Sequence, residues 1–396
     1  MYQVPLAVYE QLKEATPEGK RDIVLSLIEE HPDHRLELPE RDGLRADLRG
    51  VDLSREALQE LVERRAGPTP PWWDDHFPGA FLPNANLQSV ILWDAKLQDA
   101  TLLKADLRRA DLWDANLQDA NLIEANLQGA KLSSANLQGA KLSSANLQDA
   151  ILLNANLQGA ILSSANLQGA FLSNADLQGA KLRGADLQRA HLRDARLQGV
   201  DLSTCTLTHC HFNGAFLDRT RLRQDQLGGA VGEELGGDYK GANLAYLGLK
   251  QDFDTLGDYA ASSWAYRKER RMEKREALKE GRYLKALGDQ IVELVCDYGE
   301  GFGRVLGCLA LLWLGLALIY GITGHVLADR GPVYSTTRNV IDLLSFSLAT
   351  MVTIEAPGLR PFASLLMRIL MPLQAALGIF FLGLLGFVAG NRIRRS

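Results

Sequence analysis

The sequence predicts a multi-domain chain: a solenoid over residues 80–250 followed by an all-α, two-transmembrane unit over residues 304–396. Three observations predict it. From position 82 to 227 a leucine stands at every fifth residue, thirty positions in all, with Phe212 the single replacement. Residues 305–327 and 362–389 are apolar runs long enough to cross a hydrocarbon core of ~30 Å. Between them, residues 338–352 are apolar with interspersed Ser and Thr but too short to span, the pattern of a re-entrant helix.

The N-terminal region, 1–79, carries two predicted short helices, 7–15 and 20–30, and two isolated copies of the five-residue unit around Leu48 and Leu53. Pro68, Pro70, Pro71 and Pro78 interrupt regular structure, and Trp72 and Trp73 are expected to pack over the end of the solenoid. No basic, apolar and small-residue sequence of a signal peptide opens the chain, so the N-terminus is expected to stay in the cytoplasm. Four cysteines without CxxC spacing are expected to be reduced thiols.

A period of five matches neither the helical 3.6 nor the strand 2.0, so only a coiled solenoid keeps those leucines on one side. Two residues before each, from 80 to 220, stands a small side chain, mostly Ala, with Val90, Val200, Cys205 and Cys210 as variants. This A(N/D)LQG pattern resembles the pentapeptide-repeat family. The resemblance implies a right-handed quadrilateral β-helix with one pentapeptide per side, Leu and the small residue pointing inward. Thirty units then make seven and a half coils, about 36 Å at a strand spacing of ~4.8 Å. ANLQGAKLSS recurs with a period of ten, so unlike faces alternate and opposite faces look alike. Residues 228–237 and the last Ala242-Asn243-Leu244 are expected to close the far end.

Cys205, His209, Cys210 and His211 do not read as a metal site, because the cysteines hold inward positions and the histidines outward ones. The solenoid carries as many acidic as basic residues, fourteen of each between 81 and 230, and the whole chain has a net charge of −5. Neither DNA mimicry nor general nucleic-acid binding fits that balance. A rigid spacer or a docking surface for a protein partner is the expectation for this part.

Residues 251–303 read as charged cytoplasmic linker helices, with nine Lys and Arg between 267 and 285. These basic residues precede the membrane helix at 305–327, and Arg392, Arg394 and Arg395 follow the inner helix at 362–389. The positive-inside rule therefore puts both termini in the cytoplasm of a multi-pass protein of the cell (inner) membrane.

The stretch FSLATMVTIEAPGLRP, 346–361, aligns without a gap to the signature FSxxTxTTVGYGDxxP of two-transmembrane potassium channels through Phe346, Ser347, Thr350, Thr353 and Pro361. Together with the repeats and the charged helix, it resembles prokaryotic pentapeptide-repeat proteins with an ion-channel domain. That resemblance implies a homotetramer in membrane lipid, with a pore helix at 338–352 and a selectivity filter of Thr353, Ile354, Glu355, Ala356 and Pro357. Glu355-Ala356-Pro357 replaces Gly-Tyr-Gly, and proline cannot take the backbone conformation of the second glycine. Thr-Ile-Glu instead resembles the Thr-Leu-Glu of bacterial voltage-gated sodium channels, which implies a ring of four carboxylates and permeant Na or Ca rather than K.

Gln374 is the one side-chain amide in the inner helix and is read as pore-facing; helical spacing adds Gly378, Phe381, Leu385 and Val388 as pore-lining or gate residues. Gly378, Gly383 and Gly386, with Pro372, are candidate bending points. No enzyme is indicated: the chain has no Ser/His/Asp set, metal motif or phosphate loop, and no cofactor is implied. The alternative to a cation channel is a non-conducting, membrane-anchored scaffold that tethers the solenoid.

Overall fold

A computed structural model describes residues 6–30, 38, 46, 48, 51, 80, 82–324, 326–329, 334–354, 356–357, 359–361 and 364–395. The chain divides into two compact units, Met1–Glu273 and Lys274–Ser396.

The first unit is a parallel coil with a repeat of twenty residues, so four pentapeptides make one turn. Asn86 bridges Asp106, Asp106 bridges Asn126, and the series continues to Arg196 with Phe216. The leucine N–H donates to the carbonyl nineteen residues ahead, as in Leu117 N to Asn136 O at 2.7 Å. The N–H four residues after it reaches back, as in Asn121 N to Ala100 O at 2.8 Å. The repeated Leu and Ala positions are buried along the whole length, forming one continuous core.

Each corner is a tight turn in which the small residue donates to the leucine carbonyl three residues earlier, as in Ala130 N to Leu127 O at 2.9 Å. The residue two after nearly every leucine takes positive φ, among them Asp114 (54°), Ser134 (57°) and Gly139 (68°), with Thr204 and Gln224 as exceptions. That left-handed conformation explains why Gly, Asn, Asp and Ser recur there every five residues. Outside the turns, amides stack in columns twenty residues apart. Asn136 Nδ2 donates to Asn116 Oδ1 at 3.2 Å, and Asn146 Nδ2 to Asn126 Oδ1 at 3.3 Å, one column on each of two faces ten residues apart. A second kind of column stacks Phe171, His191 and His211, with ring centroids 4.7 and 4.3 Å apart.

Both open ends of the ladder are covered. At the start, α1 (Leu6–Glu14) and α2 (Pro17–Glu30) bury Tyr9, Leu12, Val24 and Leu27 in the same core. Ala46, Leu48 and Val51 join the coil itself: Leu48 N donates to Ile91 O, Ile91 N to Ala46 O and Lys96 N to Val51 O. The isolated unit at Leu48 is thus a side of the solenoid displaced in sequence; Leu53, Trp72 and Trp73 lie outside the described residues.

At the far end, α3 (Gly232–Leu235) and α4 (Tyr239–Leu256) follow a short 3-10 turn, Gln224–Leu227. Side chains replace the missing next coil. Glu233 accepts from Asn213 N at 2.6 Å, Asp252 accepts from Thr220 N at 3.1 Å and from Thr220 Oγ1 at 2.8 Å, and Gln226 Nε2 donates to Cys205 O at 2.6 Å. These groups satisfy backbone that would otherwise form an exposed edge. Cys205 and Cys210 are buried with their thiols donating to Leu182 O and Leu187 O, and burial pushes the Cys205 thiol up to about 11. Helix α5 (Tyr259–Lys279) completes this run.

In the second unit α6 (Tyr283–Cys296) leads through a turn at Asp297–Gly299 into α7 (Phe302–Thr323). After α7 come strands β1 (Val326–Asp329) and β2 (Tyr334–Thr336), helix α8 (Val340–Met351), strand β3 (Leu359–Pro361) and helix α9 (Leu365–Arg395). Helix α7 and residues 366–390 of α9 are long and apolar enough to cross a membrane. The predicted boundaries shift for identifiable reasons. Gly324, left-handed at φ 66°, stops α7 before the expected end at 327, and residues 326–329 are strand instead. Asn339 caps α8 through a 3.0 Å bond from Ile341 N, so that helix starts at 340 rather than 338. Residues 359–361 belong to β3, so α9 begins at 365 rather than 362.

Candidate functional site

The small sheet fixes where the short helix starts and where the chain returns. β1 pairs antiparallel with both neighbours, Leu327 opposite Thr336 on β2 and opposite Arg360 on β3. The end of α7, the entry to α8 and the entry to α9 therefore lie at one end of the unit. From there α8 runs about 18 Å through its 12 residues. Its last carbonyl, on Met351, meets Gly378, thirteen residues and so about 20 Å along α9. By Leu359 the chain is back in the sheet. Helix α8 thus ends roughly halfway along a helix of 31 residues.

Why α8 ends there is local. Thr353 N donates to Thr350 O at 3.3 Å and Ile354 N to Ala349 O at 2.8 Å, the paired bonds of a Schellman cap. The cap requires a left-handed residue after the helix, normally Gly; here Thr353 holds φ 59°. A β-branched residue in that region is strained by about 1–3 kcal/mol. Thr353, Ile354 and Pro357 are exposed, and Ala356 packs against the core formed by Ala317, Tyr320, Val326, Leu343, Phe346 and Met367. Glu355 lies outside the described residues. The negative end of the α8 dipole faces this turn.

A buried polar cluster ties α8 to both long helices. Gln374 Nε2 of α9 donates to Ser347 O at 2.8 Å and to Ser347 Oγ at 2.9 Å. Ser347 Oγ donates to Trp313 O of α7 at 2.9 Å, Trp313 Nε1 donates to Leu344 O at 2.8 Å, and the Tyr320 hydroxyl donates to Gln374 Oε1.

This arrangement corrects the pore face expected on α9. Gln374 is fully buried with its amide bonded to α7 and α8, so it lines no cavity. A polar side chain inside an apolar helix faces either protein or water, and here Ser347 and Tyr320 make protein the answer. Gly378 is likewise buried, its missing side chain giving room to Met351 O rather than marking an open wall. Val388 packs with Cys296 and Val305, and Phe381 and Leu385 lie half-buried against that same cluster. The five residues form the inward face of α9. Tyr320 and Trp313 were not singled out by sequence; the available signal was two aromatics with polar tips inside an otherwise apolar run.

The model of pentapeptide repeats matches residues 103–139, 140–179, 172–208 and 185–224. A solved pentapeptide repeat protein of Nostoc PCC 7120, alr5209, is 46% identical over 22% of this chain and 69% of its own length, with a TM-score of 0.21. The chain belongs to the pentapeptide-repeat family. HetL from Nostoc sp. strain PCC 7120, a pentapeptide repeat protein involved in heterocyst differentiation regulation, is 32% identical over 46% of this chain and 89% of its own, with a TM-score of 0.19. QnrB1, a plasmid-mediated fluoroquinolone resistance protein, is 18% identical over 39% and 83%, with a TM-score of 0.24. No curated protein sequence matches. This pentapeptide-repeat protein carries its second unit beyond the family match, which ends at residue 224.

Proposed function

We propose that the second unit is the pore domain of a homotetrameric cation channel in a cell membrane, favouring Na or Ca over K, with the pentapeptide-repeat solenoid on its cytoplasmic side. The observation that carries the reading is the short apolar helix α8, which ends against Gly378 about halfway along α9 before the chain returns to the sheet beside its starting point. Such a half-length helix followed by a tight return fits re-entry from one side of the bilayer, where its backbone is covered by α7 and α9 rather than lipid. Four copies around an axis would bring four α8 carbonyl ends and four Glu355 carboxylates together, attracting cations and repelling anions.

The test is cation flux through the full chain in liposomes, comparing sodium, potassium and calcium for wild type and Glu355→Gln. Cation-selective flux that the substitution weakens several-fold supports the channel and the carboxylate ring together. Silence from folded, membrane-inserted wild-type protein moves the assignment to the scaffold, which the matches to the repeat region fit equally well.

A further inference from the structure

We infer that Gln374, with Ser347 and Tyr320, is a positioning clamp that holds α8, and through it the turn at Thr353 and Ile354, at a fixed depth between the two long helices. The clamp rests on the channel reading for its consequence, ion discrimination, but not for its geometry.

The bonding pattern argues for it. Only one face of α8 is packed: Leu343, Phe346, Ser347, Thr350 and Met351 are buried while Val340, Ile341 and Leu348 are exposed. Apolar contact along such a face is non-directional and would tolerate a slide along α9. Hydrogen bonds do not tolerate it. The Gln374 amide donates both to the carbonyl and to the hydroxyl of one α8 residue, Ser347, at 2.8 and 2.9 Å, and accepts from Tyr320 on α7. The Ser347 hydroxyl passes its own proton to Trp313 O, and the Trp313 indole returns to Leu344 O one turn earlier on α8. A shift of α8 by one residue, about 1.5 Å, would break four of these five bonds at once and leave the buried Ser347 and Gln374 groups unpaired. One turn further along α9, Gly378 admits Met351 O so closely that any side chain there would displace it. The amide and the glycine together fix both the rotation and the depth of α8. Thr353, with its strained φ of 59°, follows two residues later, so the turn inherits that depth directly.

The experiment measures hydrogen exchange of the α8 amides in the full chain in liposomes, alongside the sodium-to-potassium permeability ratio. Gln374→Leu, which keeps the volume and removes the bonds, is expected to accelerate exchange of residues 343–354 by ten-fold or more while α7 and the second half of α9 keep their protection. Ser347→Ala, which leaves the carbonyl as acceptor, is expected to give an intermediate increase. The permeability ratio of Gln374→Leu is expected to change at least three-fold. Unchanged exchange at 343–354 in folded Gln374→Leu overturns the clamp whatever the flux. An altered exchange pattern with no wild-type flux sustains the clamp and removes the channel reading instead. Altered exchange with a wild-type permeability ratio overturns the link between α8 depth and ion discrimination.

Discussion

Glu233 shows how a single side chain can stand in for a strand. It is buried at the end of the solenoid, where Oε1 accepts from Asn213 N and Oε2 has no hydrogen-bond partner among the described residues, with His211 Nδ1 4.0 Å away and Asp238 nearby. Burial raises its pKa from the ordinary carboxylate value to about 7. Between pH 4.5 and 7 the folded protein therefore keeps a proton that the unfolded chain has lost, and stability falls as pH rises across that window, by about 3 kcal/mol. His211 acts in the opposite sense: burial and the neighbouring His191 lower its pKa, so protonating it costs stability as pH falls below about 6.5. Glu233→Gln keeps the acceptor for Asn213 and removes the charge. It is expected to raise the melting temperature of the first unit at pH 8 by several degrees and to flatten its decline between pH 5 and 8. Thr353 offers a second test at this scale. Thr353→Gly relieves the left-handed strain and is expected to leave the fold intact or stabilise the turn by about 1 kcal/mol, whereas Thr353→Pro, which cannot reach φ 59°, is expected to unravel the end of α8 in the same exchange measurement.

Among elements, the solenoid makes the more exact forecast because its register is written in the hydrogen bonds. Deleting residues 136–155 removes one complete coil, so every column meets its equivalent; deleting 136–140 rotates the remainder by one side and sets Lys and Ile columns over the Asn ladder. The first deletion is expected to cost only a few degrees in melting temperature and the second considerably more, as followed by circular dichroism. Legibility divides along the same line. The inward Leu and Ala positions were readable from sequence because a five-residue period serves no other regular structure. The three strands at one end of the second unit were not, since three or four residues carry too little alternation to register as strand. The orientation of α9 was also beyond the sequence. Spacing grouped Gln374, Gly378, Phe381, Leu385 and Val388 on one face, but which neighbour that face meets depends on Ser347, Tyr320, Met351 and Val305, distant in the chain.

Taken as a whole, the molecule joins two ways of satisfying a backbone. The first unit bonds each coil to the next and uses carboxylates and an amide where the next coil is missing. The second bonds within helices and a small three-stranded sheet, and in it Leu344 and Ser347 of α8 accept hydrogen bonds from both long helices. The two are expected to respond differently to perturbation. Gly378→Ala, which would push its new methyl into Met351 O, is expected to displace the end of α8 and speed exchange at 349–354, while leaving the thermal transition of the first unit unchanged.

The twenty-residue coil also has a genetic consequence. Two ANLQGAKLSS-like decamers complete one turn, so an in-frame gain or loss of twenty residues adds or removes one whole coil. Each such event lengthens or shortens the rod by one strand spacing, about 4.8 Å, without disturbing the chemistry of either cap. Selection can therefore tune the reach of this unit in steps, as on a ruler, while its ends stay as they are.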